Sequence, residues 1–233
     1  MGHMLEEIAV ERGHEIVLKI DIDNHASVTA KDLQAADAAI EFTAPGSAVN
    51  NILFCLEAGV PVVVGTTGWY DNLEEIKKAF ITQKGALVYA TNYSVGVNML
   101  FAMNKLLAKW MNKYPDYAVE IEEIHHTQKL DSPSGTAITL AEGVLENLDR
   151  KHHWQKQEVS DHKALEEDAL RIAYDRKDGV PGIHKVTYTS AIDEIQMSHE
   201  AFNRKGFALG AVLAAEFIKD KKGIFTANDI FGF

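Results

Sequence analysis

The sequence predicts an α/β fold with two domains: a doubly wound parallel sheet, then an α+β domain built on a mostly antiparallel sheet. Three observations carry this expectation. Short apolar runs alternate with helical patterns from residue 38 to residue 114, joined by brief polar loops. One of those runs, Val60-Pro61-Val62-Val63-Val64, is apolar throughout, as a strand covered on both faces has to be. After Pro115 the pattern changes to period-two runs separated by turn residues such as Lys177-Asp178-Gly179-Val180-Pro181-Gly182.

Taken in order, Met4, Leu5, Ile8 and Ala9 share a helix face and Gly13 ends that helix. His14 to Asp21 is predicted as a strand. Ala38 to Phe42 forms a short buried strand, and Thr43-Ala44-Pro45-Gly46-Ser47 turns into a helix reaching Ala58. Val60 to Val64 is the next strand, ending in Gly65-Thr66-Thr67-Gly68, and a helix follows through Leu73, Ile76, Lys77 and Phe80. Ala86 to Ala90 is a further strand with Thr91-Asn92-Tyr93 at its end. Ligands of such sheets bind at the carboxyl ends of the strands, so these polar loops are candidate binding elements, with Phe42 and Thr43 at a third end.

Val95 to Tyr114 is a long helix stopped before Pro115, and Tyr117 to Ile124 is a half-buried strand that delivers His125 and His126 into a loop. Asp131-Ser132-Pro133-Ser134-Gly135-Thr136 opens a helix through the 140s, with Pro133 at its first position and Ser132 as its cap. The polar stretch Asn147–Lys163 reads as a flexible connection. Its pair His152-His153 has no Cys or regularly spaced carboxylate beside it, so no metal is assigned. Leu170–Arg176, Lys185–Ser190 and Asp193–Ala201 complete the second sheet. A helix from Arg204 to Lys219, rich in small residues, returns to the first domain, and Ile224–Phe233 closes the chain. The domains are therefore 1–93 with 204–233, and 94–203.

Composition narrows the function. The chain has 233 residues and a formal charge of -11, which argues against nucleic-acid binding and requires any anion site to be locally basic. No stretch approaches the roughly 18 apolar residues of a membrane span. The single cysteine, Cys55, lies in an apolar run and reads as a buried thiol, and one cysteine suits a reducing cytoplasm.

The basic site is at residues 120–137, where two imidazoles and the Lys129 ammonium precede a helix start. Helix N-termini offer free N–H groups and a positive dipole end to an anion, and Gly135 lets a ligand approach the backbone. Histidine titrates near neutrality and a desolvated lysine can be tuned, so the group suits binding a small carboxylate and giving it a proton.

Glu123-x-His-His-x-x-Lys-x-Asp-x-Pro-Ser-Gly-Thr-Ala137 resembles the signature of dihydrodipicolinate reductase. Gly65-Thr66-Thr67-Gly68 and Ala90-Thr91-Asn92-Tyr93-Ser94-Val95-Gly96-Val97-Asn98 match the same family in the same order, so the resemblance covers nearly the whole chain. It implies a Rossmann-like first domain and hydride transfer from NADH or NADPH to a small cyclic dicarboxylate in lysine and diaminopimelate biosynthesis, by a homotetramer. It assigns proton handling to His125 and Lys129, and substrate carboxylates to His126, Gly135 and Thr136. It places the cofactor on Gly2, Asp21, Gly65, Thr66, Thr67, Ala90, Thr91, Asn92 and Tyr93, with Arg204 a weaker site candidate.

The family begins with a strand running into a glycine-rich turn. Here Gly2 matches only the third glycine, so the expectation is a dinucleotide fold whose first strand is missing, which puts pyrophosphate binding in doubt. Asp21, about 20 residues on, suits both ribose hydroxyls and repels a 2′-phosphate, and Ile22 stands where NADPH-using members carry a basic residue. The expectation is NADH over NADPH. Two other readings stay open: another NAD-dependent dehydrogenase of small acids, and a non-catalytic nucleotide-binding assembly protein.

Overall fold

The structure, a computed structural model, describes residues 1–129, 131–161 and 163–233. Its elements in chain order are α1 (Gly2–Glu11), α2 (Ala30–Leu33), β1 (Ala39–Glu41), α3 (Pro45–Ala58), β2 (Val62–Val64), α4 (Leu73–Thr82), β3 (Ala86–Tyr89) and α5 (Val95–Met111). There follow β4 (Ala118–His125), α6 (Gly135–Leu145), β5 (His153–Glu158), β6 (Ala169–Arg176), β7 (Gly182–Thr189), β8 (Glu194–Ala201), α7 (Lys205–Ile218), β9 (Gly223–Phe225) and α8 (Ala227–Phe231). The chain divides into two compact units, Met1–Val95 with Lys205–Phe233 and Gly96–Arg204.

The first unit holds a parallel sheet of order β1-β2-β3-β9. Val62, Val63 and Val64 are completely buried, as the all-apolar run requires of a strand covered on both faces. Ile52, Leu56, Ile76 and Phe80 pack one side, and Ala211, Ala214 and Ile218 of α7 pack the other. The glycine at 210 is obligatory, because a Cβ there would lie 1.6 Å from the Tyr93 carbonyl oxygen. Arg12 grips Glu216 with two nitrogens at 2.7 and 2.9 Å, tying the end of α1 to α7.

The predicted strand His14–Asp21 is not one. The stretch is neither helix nor strand, and its backbone joins no ladder among the described residues. Ile16 and Leu18 reach two different apolar clusters, so the alternation reflects burial of side chains without a neighbouring strand edge. At its end Asn24 folds back, accepting from the Asp21 N–H and donating to the Lys19 carbonyl. The closing segment contains a strand the sequence pattern does not reveal, β9, whose three residues pair with β3.

In the second unit the sheet order is β5-β6-β4-β7-β8. β4 pairs antiparallel with β7, and β7 with β8, while β6 runs parallel to both β4 and β5, so the antiparallel half adjoins a parallel half. The parallel half arises because Asn147–Lys163 is no flexible connection: it contains β5, held to β6 from His153 to Glu158. α6 covers the sheet with Ala137, Leu140, Ala141 and Val144 against Ile121, Leu170, Ile172, Val186 and Tyr188. No helix among the described residues is long and apolar enough to cross a membrane.

Candidate functional site

The end of β4 and the start of α6 are held together by one buried carboxylate. Alternation along β4 turns Val119, Ile121 and Glu123 to the covered face, and Glu123 is completely buried. A buried carboxylate is costly unless paired and hydrogen-bonded. Here Oε2 accepts the Ser134 N–H at 3.0 Å, and Oε1 lies 3.5 Å from two guanidinium nitrogens of Arg176 on β6. His184, from β7, brings Nε2 within 3.9 Å of Oε2 and within 3.0 Å of the Ser134 hydroxyl.

Ser134 is the cap of α6. Its backbone is extended and its Oγ accepts from the Ala137 N–H at 3.2 Å. The sequence expectation of Ser132 as cap and Pro133 as first helical residue is two residues early. Pro133 precedes the helix and is joined to Ser132 by a cis peptide. Gly135 is exposed at the first helical position with nothing within 4 Å of where a Cβ would stand, and Thr136 is half-buried beside it. This keeps the helix start open to an anion.

His125 is the last residue of β4 and not part of the loop, because its backbone continues the ladder opposite Arg176. Its ring is buried and meets His184 edge to face at 4.9 Å between centroids. Nδ1 lies 3.5 Å from Glu123 Oε2 and has no hydrogen-bond partner among the described residues. Burial pushes the His125 ring down to about 4. Glu123 and Asp131 pull it back up, and the Lys129 and Arg176 charges lower it further. His184 is pushed to about 3 by burial, helped by His125, His199 and Lys129. Both rings are therefore neutral near pH 7.

His126 begins the loop, half-buried, and its carbonyl accepts the Lys129 N–H at 3.1 Å. The Lys129 ammonium sits on both oxygens of Asp131 at 2.7 and 2.8 Å. Burial acts to raise the Asp131 carboxyl, but this ammonium outweighs it and holds the group below the usual range. The sequence-predicted His125, His126, Lys129, Gly135 and Thr136 thus lie along one strand end, its loop and the following helix start. Glu123 entered the sequence reading only as the first residue of the family signature, with no role in the site, and Arg176 and His184 were not singled out. The one signal for His184 is its inward place in the alternation of β7.

The cofactor candidates belong to the first unit. Gly65, Thr66 and Thr67 follow β2, and Ala90, Thr91 and Asn92 follow β3, so both loops stand at carboxyl ends of parallel strands. The Phe42 ring lies on Gly65, only 2.0 Å from where a Cβ would be. Thr66 is buried and its hydroxyl accepts the Thr43 N–H at 2.7 Å, whereas Thr67 and Thr91 are exposed. Asn92 accepts the Ser94 N–H at 2.8 Å. Tyr93 serves the core: its buried hydroxyl donates to the Val64 carbonyl at 2.8 Å, and burial raises its pKa well above the usual value. Glu41, at the end of β1, is buried with Oε2 unpartnered among the described residues, a polar atom facing this end of the sheet. Asp21 is exposed, and one of its oxygens accepts the Asp23 N–H. Gly2 opens α1 with free space around it, and Arg204 is exposed between β8 and α7. The exposed hydroxyls of Thr67 and Thr91 at adjacent strand ends fit the ribose of a dinucleotide.

Among the described residues, two side-chain groups have ligand atoms close enough for a cation, Glu123 with His125 and His184, and His153 with Glu166 and Asp168. In the first, the carboxylate is already turned to the Ser134 N–H and Arg176. In the second, His153 Nε2 already faces the Gln155 amide at 3.2 Å. Cys55 is buried, and burial pushes its thiol up to about 12, with Glu41 adding to the rise.

Comparison with known proteins agrees over nearly the whole length. Residues 1–93 match the family model described as dihydrodipicolinate reductase, N-terminus, and residues 96–231 match that of its C-terminus. The chain is 47% identical to the 4-hydroxy-tetrahydrodipicolinate reductase of Christiangramia forsetii, over 99% of this chain and 93% of that protein. It is 32% identical to the enzyme of the same name from Methanococcus vannielii, covering 98% of this chain and 93% of that one. Among solved structures, the dipicolinate-bound dihydrodipicolinate reductase from Paenisporosarcina sp. TG-14 shares the fold, with a TM-score of 0.73 at 22% identity over 98% of this chain and 94% of that one. The three motifs, the two-sheet architecture and these matches lead to one conclusion: the chain belongs to the dihydrodipicolinate reductase family.

Proposed function

We propose that this protein reduces 4-hydroxy-tetrahydrodipicolinate to tetrahydrodipicolinate, using NADH or NADPH, in lysine and diaminopimelate biosynthesis. The substrate gains a hydride and a proton and loses its hydroxyl as water, so the chemistry needs a cationic cradle for two carboxylates and groups that move protons. The observation that carries the reading is the joining of His125, His126 and Lys129 to an open, Ser134-capped helix start, in a chain of this family. When bound, the cofactor supplies the hydride.

The residues divide the remaining work. Lys129, an ammonium held against Asp131, donates a proton toward the leaving hydroxyl, and His125, neutral near pH 7, accepts and returns protons. His126 and the N–H groups of Gly135 and Thr136 take the substrate carboxylates. Gly2, Asp21, Gly65 to Thr67 and Ala90 to Tyr93 hold the cofactor, Tyr93 through its backbone because its hydroxyl is engaged. In this reading residues 1–93 with 204–233 serve the cofactor, and residues 94–203 serve the substrate and a homotetramer. NADH is preferred because Asp21 opposes a 2′-phosphate, and the compartment is the cytoplasm.

The test follows NADH oxidation at 340 nm by this chain, with substrate generated in the cuvette from pyruvate and aspartate semialdehyde by the preceding synthase. Turnover that requires both precursors is expected, and dipicolinate should inhibit it competitively. Absence of turnover with either cofactor would refute the reading.

A further inference from the structure

We propose that Glu123 is a positioning residue for His125: its carboxylate fixes the imidazole in the tautomer with the proton on Nδ1, leaving Nε2 as the proton acceptor. The inference rests on the reading of His125 as a proton-handling group and adds the residue through which that ring is set.

Glu123 and His125 are two apart on β4, so alternation turns both side chains to one face. An ionised carboxylate only accepts, so a ring nitrogen turned to it has to be the donor. Nδ1 is that nitrogen, 3.5 Å from Oε2 and buried without another partner among the described residues. The spacing is long for a hydrogen bond, and such contacts commonly tighten when substrate binds. The carboxylate itself is held from three other elements: the Ser134 N–H at the start of α6, Arg176 on β6 and His184 on β7. It therefore presents a fixed acceptor to the ring.

The opposite edge of the ring meets the backbone of Gly182. Gly182 begins β7 where a Cβ would stand 3.1 Å from His125 Nε2 and 3.3 Å from Cδ2. A glycine at this point keeps a methyl group off Nε2, while the carboxylate settles which nitrogen carries the proton. The charged and titratable groups around the ring are Glu123 on β4, Lys129 and Asp131 in the loop, Arg176 on β6 and His184 on β7, with His199 of β8 beyond His184. Of these, only Glu123 has a carboxylate oxygen at the Nδ1 edge in an observed contact.

A purely structural carboxylate would bind Ser134 and Arg176 and leave the imidazole alone, so the test reads the ring directly. In wild-type protein labelled with 15N-histidine at pH 7.5, the His125 signal, assigned by its loss in His125→Gln, is expected to show a protonated Nδ1 and a bare Nε2. The opposite tautomer would overturn the proposal whether or not Glu123→Gln folds. In Glu123→Gln, kcat is expected to fall on the order of 10²-fold, the scale of one proton-transfer group. KM for NADH and the inhibition constant of dipicolinate should change by less than about threefold, and the tautomer should become mixed. A folded Glu123→Gln enzyme with kcat within about twofold of wild type would also overturn it. Full turnover by His125→Gln would instead remove the role of His125 and the proposal with it. Inactive wild-type protein would refute the reductase reading alone, since the tautomer is measured without turnover.

Discussion

Acid should destabilise this protein through two buried rings, and the size of the effect follows from their environment. His125 and His184 hold pKa values of about 4 and about 3 in the folded chain, against about 6.5 for an unperturbed histidine. Above pH 6.5 both rings are neutral whether the chain is folded or not, and the full stability is present. As pH falls below 6.5 the unfolded chain takes up protons that the folded chain refuses, so stability is lost progressively until the folded rings titrate. At pH 5 the unfolded form is favoured by about 2 kcal/mol for each ring, a large share of the roughly 5–15 kcal/mol that holds a domain. Urea denaturation of wild type and His184→Gln at pH 7.5, 6.0 and 5.0 tests one ring, because the variant lacks the His184 titration and keeps a histidine at position 125. The loss between pH 7.5 and 5.0 should be smaller in the variant by about 2 kcal/mol. Identical losses in the two proteins would show that His184 titrates normally in the fold, and the burial argument for both rings would fail.

Other substitutions probe separate parts of the structure. Gly182→Ala brings a methyl to 3.1 Å from His125 Nε2, so turnover should fall on the order of tenfold with cofactor affinity unchanged, measured by steady-state kinetics and NADH titration. Gly210→Ala drives a Cβ to 1.6 Å from the Tyr93 carbonyl oxygen; α7 has to shift, and a stability loss of about 3 kcal/mol or more should appear in denaturation midpoints. Asp21→Ala should cut kcat/KM with NADH on the order of tenfold and narrow its advantage over NADPH; a wild-type enzyme equally efficient with both would refute the role of Asp21.

The sequence carried the parts of the fold that local chemistry decides. Val62 to Val64 had to be a buried strand, and the apolar periods of α3, α4 and α5 placed those helices within a few residues. His14–Asp21 misled because alternation reports which side chains are buried, whereas a strand also needs an adjacent edge, and none is paired there among the described residues. β9 escaped notice because three residues contain too little periodicity to register. The helix start at Ser134 was misplaced by two residues because Ser132 and Ser134 are equally good caps on composition; only Ser134 has its Oγ on the Ala137 N–H.

The site divides along the same line. His125, His126, Lys129, Gly135 and Thr136 stand within twelve residues, so one window of sequence displays them together. Arg176 and His184 stand 53 and 61 residues beyond Glu123 and meet it only because β6 and β7 flank β4 in the sheet. On its own strand each has an ordinary role, a cation near a turn and a polar residue at an inward position. Their meaning comes from register: Arg176 lies opposite His125, and His184 opposite Glu123, so a one-residue slip of either strand would turn its side chain to the other face. The charge that steadies Glu123, and through it the His125 ring, is therefore a property of strand pairing, which no local window of the sequence contains.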